Sequence, residues 1–158
     1  MSIEKKFRRL PWAIVFAEEM AEKLKRELRE EISHMIPHRM LITQPPIDLK
    51  DYTIYGQMIL LDYKGKGLLR EVSIVSPSKE FEVAVYIDGA PYIRGTYEEL
   101  ERISMNIIAL GAYPQDGKYN VNIKNFWFRH SARVILNVLQ PPITFDKIFI
   151  LYDVEVEA

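Results

Sequence analysis

Cysteine is absent from this chain of 158 residues, and with it go disulfides, thiolate nucleophiles and zinc–sulfur centres. That absence leaves the compartment open. An excess of either charge is also missing. The 21 Lys and Arg stand against 22 Asp and Glu, a formal net charge of −1. No global field therefore draws the chain to nucleic acid or to an anionic membrane, and no nucleic-acid partner is expected. No apolar run approaches the ~20 residues that a membrane-spanning helix needs, so no membrane span is expected. Histidine is scarce, at three residues.

What is present is globular. Apolar residues make up 48% and charged residues 27%, which argues against disorder. A chain of this length forms one domain that buries roughly 70% of its unfolded surface.

Lys5, Lys6, Arg8 and Arg9 precede a short apolar run over 10–17, a faint signal-peptide outline. Glu18 and Glu19 follow at once and the helical pattern runs on past them. A cleavable signal ends in small residues, so none is expected here.

Pro11 suits the first turn of a helix, where its missing N–H costs nothing. From Trp12, the residues Phe16, Met20, Leu24, Leu28, Ile32 and Ile36 recur every four positions, with Ala13, Ala17 and Ala21 beside them. Glu19–Lys23, Glu22–Arg26 and Arg26–Glu30 are opposite charges at i,i+4 on the wet face. Pro37 stops the helix, which is expected over Pro11–Met35. A spacing of four drifts about 40° per step against 3.6 residues per turn, so the stripe winds round the helix. It favours a curved surface or a right-handed bundle over a heptad seam. Its cover is either the chain's own sheet or neighbouring subunits.

Residues 38–50 contain Pro45-Pro46 and no clear period, and read as an extended connector. Strand signals then dominate. Residues 52–63 are rich in aromatic and branched side chains, and Lys64-Gly65-Lys66-Gly67 supplies a turn. A strand over 68–75 puts Val72 and Ile74 on one face, with Glu71 and Ser73 on the other. Phe81, Val83, Val85 and Ile87 alternate with Glu82, Ala84 and Tyr86 up to Asp88-Gly89, a type I′ hairpin signal. Thr96 and Glu99 form a capping box ahead of a short helix over Tyr97–Ser104. Pro114-Gln115-Asp116-Gly117 is another turn. Tyr119, Val121 and Ile123 then alternate into Phe126-Trp127-Phe128. Further strands are expected over 132–139 and 148–156, with Pro141-Pro142 as a corner. Gln44-Pro45-Pro46-Ile47 returns as Gln140-Pro141-Pro142-Ile143, each a stiff approach to a strand.

The fold expected is mainly β: an antiparallel β-sandwich or jelly-roll-like domain with a long N-terminal α-helix and one short internal helix. Its parts are the amphipathic helix over 1–37, the connector over 38–50 and the sandwich over 51–158.

Catalytic and metal signatures do not emerge. His34 and His38 are four apart, but Pro37 interrupts the helix between them, and a helix-end histidine also suits the helix dipole. His130-Ser131 beside Arg129 is a nucleophile–base adjacency, yet neighbours on a strand point to opposite faces. A cupin-type metal site needs several strand histidines, and His130 alone is available. Asp62, Glu71, Asp88, Asp116 and Asp153 are candidate acids of a glycosidase, but no pair stands out. Neither cofactor nor metal is expected. Trp127 faces opposite to Phe126 and Phe128 on a strand. It lies under the N-terminal helix, in the second layer of the sandwich, at an interface, or against a stacked ligand, with the core the leading expectation.

In its rhythm of short strands, its Asp88-Gly89 hairpin and its helical extension, the chain resembles β-sandwich accessory subunits of virus and phage particles. Decoration, tail and baseplate proteins are the comparison. The resemblance covers 52–156 as architecture and transfers no functional residue. It implies a virion setting and a non-enzymatic structural or interaction subunit, in a homo-oligomer or a larger assembly. Phe16, Met20, Leu24, Leu28 and Ile32 are the expected protein-contact residues, with Trp127 as an anchor. The alternatives are a carbohydrate- or peptide-binding sandwich, an enzyme of unrecognised type, and a helix lying on a membrane surface.

Overall fold

The computed structural model describes residues 11–35 and 39–157, with helix side chains described over 15–31. The helix and the strands form separate compact units and are taken in turn. Helix α1, Pro11–Met35, begins at the proline predicted to start it. Its ion pair among the described residues is Lys23–Glu27, at 4.0 Å, and not one of the three pairs expected. Exposed charges gain little from any one partner in water, so which neighbour they meet is weakly determined.

The second unit has ten strands and one helix. In chain order they are β1 (Arg39–Thr43), β2 (Ile47–Ile54), β3 (Gln57–Lys64), β4 (Gly67–Ser76), β5 (Phe81–Ile87), β6 (Ala90–Thr96), α2 (Tyr97–Ser104), β7 (Leu110–Gln115), β8 (Lys118–Phe128), β9 (Ser131–Val138) and β10 (Ile143–Glu157). One sheet runs β1-β10-β4-β8-β7, with β2 also on β10; the other runs β3-β9-β5-β6, and every pairing is antiparallel. The order is a jelly roll. Strands β2 to β5 run out and β6, β8, β9 and β10 run back against them as the pairs β2·β10, β3·β9, β4·β8 and β5·β6. Rolling that ribbon puts β10 beside β4 and β9 beside β5, which makes two facing sheets.

The stretch 38–50, expected as a connector, instead supplies β1 and the start of β2. Its backbone is extended as read, but β10 is fifteen residues long and offers edge bonds to both pieces, on either side of Pro45-Pro46. The two Gln-Pro-Pro-Ile approaches lead into β2 and β10, and these two strands are partners, Ile47 opposite Ile150.

The core lies between the sheets. Leu69, Val72 and Ile74 of β4 and Ile148 and Ile150 of β10 face Phe81, Val83 and Val85 of β5 and Val134 and Leu136 of β9, all fully buried. Each such side chain stabilises the fold by about 1.5–3 kcal/mol relative to exposure. Phe81 meets Phe145 from the opposite sheet edge-to-face, with centroids 5.6 Å apart. Such a pair adds about 0.5–1.5 kcal/mol beyond its area.

Strict alternation fails in several strands, at Leu60-Leu61 of β3 among them, and one such step sets the face of Trp127. Val72 and Ile123 face inward, and so do Leu69 and Phe126, three residues away on each strand. Arg70 and Asn125 take up the extra step: Glu71 pairs Leu151 and Leu69 pairs Tyr152, so β4 spends two residues where β10 spends one. Asn125 accommodates this with φ 61°, a region asparagine tolerates. Phe128 stays in phase with Phe126, and Trp127 is sent outward.

The Asp88-Gly89 hairpin forms as read, and the turn read at Pro114-Gln115-Asp116-Gly117 is a hairpin of the same kind. Asp88 and Gly89 between β5 and β6, and Asp116 and Gly117 between β7 and β8, all have positive φ, as type I′ turns need. At the start of α2, Thr96 Oγ1 accepts the Glu99 N–H at 3.4 Å and donates to the Glu99 carboxylate at 3.2 Å. Tyr97 and Leu100 bury that helix on the core, and Lys79–Glu98 at 2.7 Å ties it to the β4–β5 loop.

Candidate functional site

The residues expected to make protein contacts fall in both units. On α1, Phe16, Met20, Leu24 and Leu28 are 60, 42, 57 and 59% exposed, and Val15 is exposed as well. The i,i+4 spacing puts successive members about 40° apart, so they form one winding apolar band. The Ile32 side chain lies outside the described residues, as do those of His34 and His38.

Trp127 belongs to the sheet unit. The leading expectation of a core place is overturned: its side chain is 64% exposed on the outer face of the six-stranded sheet. The paired step at Arg70 and Asn125 is the reason, since it turns both neighbouring phenylalanines inward. Across that face Trp127 stands opposite Leu68, Leu68 opposite Asp153, and Asp153 opposite Thr43; Leu41 stands opposite Glu155 one step further along.

Asp153 is only 7% exposed, and its Oδ1 has no hydrogen-bond partner among the described residues. Its Oδ2 pairs loosely with Arg70 at 3.9 Å, while Glu155 takes Lys66 at 3.4 Å and Arg39 at 3.8 Å. An under-satisfied carboxylate on the same face as an exposed indole and Leu41 is a surface unlike ordinary solvated sheet. Ser73, read as a wet-face residue, is also only 7% exposed. On the other side of β1, Met40 and Ile42 are exposed too. Sequence reasoning missed the β1 residues because the segment carried no period; three consecutive apolar residues next to Arg39 were the signal available.

Among the described residues the suspected chemistry is not brought together. His130 and Ser131 lie at the β8–β9 turn, where their backbone N–H groups, with that of Arg129, donate to one oxygen of Asp88 at 2.6, 3.2 and 2.9 Å. These three donors hold the Asp88 carboxyl below its ordinary value, the His130 bond first. A cradle suited to an anion is thus filled by the chain's own carboxylate. Asp62 pairs with Arg133 at 3.4 Å, and Asp116 sits in its hairpin turn. Among the described residues, no three His, Asp or Glu side chains converge as a metal site would require.

The fold thus defines a jelly-roll β-sandwich carrying a long amphipathic helix, with exposed apolar surface on both units. No family model matches the chain, and no curated protein matches it in sequence.

Proposed function

We propose that this chain is a non-enzymatic structural subunit that assembles with other protein subunits, copies of itself first among them. The observation that carries this reading is the exposed band Phe16, Met20, Leu24 and Leu28. Four large apolar side chains in register along one helix gain by leaving water, and such surfaces on soluble domains mark protein contacts. Trp127 supplies an anchor of the residue type that dominates binding energy at interfaces. The jelly roll supports the comparison with accessory subunits of virus and phage particles at the level of fold alone, since the same architecture also serves lectins and cupins.

The test is sedimentation velocity and native mass measurement of the full chain against a variant carrying Leu24→Asp and Leu28→Asp. The wild type is expected as an oligomer, and the variant as a monomer with the same sheet signal in circular dichroism. A wild-type chain that stays monomeric at high concentration overturns the reading.

A further inference from the structure

The outer face of the four-stranded sheet differs in kind from the surfaces above. Its outward side chains stand in three rungs across the strands. Gln57, Asn137 and Glu82 form one; Ile59, Ile135, Ala84 and Arg94 the next; Asp62, Arg133 and Tyr86 the third. At about 4.8 Å per strand, the face spans roughly 14 Å across β3, β9, β5 and β6.

Two depressions lie on it, of about 130 and 370 Å³, and both are lined by Tyr86 and Ile135. Ala84 lines the smaller one: a methyl group stands there among Glu82, Tyr86, Arg94 and Ile135. Short side chains at the centre of a rung and long ones around it leave a trough.

The polar lining is largely paired with itself. Arg94 Nε donates to Glu82 at 3.2 Å and Arg133 to Asp62 at 3.4 Å, so each guanidinium is held beside a carboxylate. The Glu82 contact raises the Arg94 pKa, with Tyr86 as a further cause. The amides of Gln57 and Asn137, opposite one another, take no side-chain hydrogen bond among the described residues. A fixed Arg–carboxylate couple presents a donor and an acceptor side by side, and an amide does the same. Vicinal hydroxyls of a sugar ring need that pairing, and Tyr86 and Ile135 offer apolar surface for the ring's C–H face. Asp62 and Glu82 oppose a phosphate backbone, and the scarcity of exposed apolar side chains beyond Ile59 disfavours a protein partner.

We infer that this face is a binding site for an uncharged oligosaccharide, lying across β3, β9, β5 and β6, with Tyr86 between two subsites. The inference does not depend on the assembly reading, and neither Trp127 nor α1 takes part in it.

The experiment is a printed array of neutral and acidic glycans probed with the full chain. The strongest neutral oligosaccharide is then titrated into ¹⁵N-labelled protein. Saturable shifts confined to β3, β9, β5 and β6 are expected, with an affinity that falls at least about tenfold in Ala84→Arg, which fills the trough. Gln57→Ala with Asn137→Ala, which removes the two amides, is expected to weaken binding as well. Trp127→Ala and the Leu24→Asp, Leu28→Asp variant are expected to bind as the wild type does. No neutral glycan bound, binding to acidic glycans alone, shifts centred elsewhere, or full binding by both face variants would each overturn the inference. A monomeric chain that binds would sink the assembly reading and leave this one standing.

Discussion

Asp88 and His130 come from different hairpins, and the Asp88 carboxylate joins them by accepting the His130 backbone N–H at 2.6 Å. The same oxygen takes Arg129 and Ser131, while the Asp88 N–H donates to the Ser131 carbonyl at 2.9 Å. One turn residue therefore closes its own I′ turn and caps the neighbouring one.

These bonds hold the folded Asp88 pKa below its ordinary value of 3.8. A depressed carboxyl contributes stability that is present above its unfolded value and lost as pH falls through the folded one. Asp88→Asn keeps the positive φ accessible but removes the charge. Melting temperatures measured across the acid range should show the variant less stable than wild type at neutral pH, with the gap closing below the ordinary carboxylate range. A gap that persists undiminished in acid would refute the role of the charge.

Tyr97 is fully buried at the start of α2 against Tyr119 and Phe81, and its hydroxyl has no partner among the described residues. Burial pushes its pKa up to about 12. The folded state thus holds the proton more tightly than the unfolded chain, and stability falls as pH rises from about 10 towards about 12. Tyr97→Phe should remove that alkaline loss and leave neutral stability unchanged or raised by about 1 kcal/mol, read by denaturant melts. A loss of more than that would show the hydroxyl bonded after all.

Gly67 opens β4 opposite Val154 of β10. A Cβ there would clash with the Asp153 carbonyl and lie 2.8 Å from the Phe128 ring. Backbone cannot swing aside as a side chain does, so Gly67→Ala should cost about 3 kcal/mol. Gly111, whose Cβ would meet nothing closer than 3.8 Å, is the control. Equal melting temperatures for the two variants would contradict the packing.

Phe145 and Trp127 separate stability from surface. Phe145→Ala should cost about 3–5 kcal/mol, because it leaves a cavity against Phe81. Trp127→Ala should change the stability of the isolated chain by no more than about 0.5 kcal/mol, since the indole is largely in water. A large loss from Trp127→Ala in dilute protein would return it to the core.

The limits of α2, the starting residue of α1, the Asp88-Gly89 I′ turn and the position of the Asp116-Gly117 turn were legible in the sequence because each rests on contacts within a few residues. Pro11, the Thr96–Glu99 box, Asp88-Gly89 and Asp116-Gly117 act through their own backbone. The alternation of Phe81, Val83 and Val85 likewise showed which side of β5 would be dry.

Strand partnership beyond the hairpins was not legible. β3 and β4 are joined by the two residues of a turn read in the sequence, yet they lie in different sheets, each paired with a strand far along the chain. The use of 39–43 as a strand depended on the length of β10, and the outward turn of Trp127 depended on a step shared by β4, β8 and β10. The trough around Ala84 exists because Ile135 and Arg94 stand beside it in the ladder, 51 and 10 residues away. The sequence alone determined the local elements and their dry sides, since turn chemistry and side-chain period act at short range. Only the tertiary structure decided which outward faces exist and what each presents, because a face is composed by ladders between distant strands.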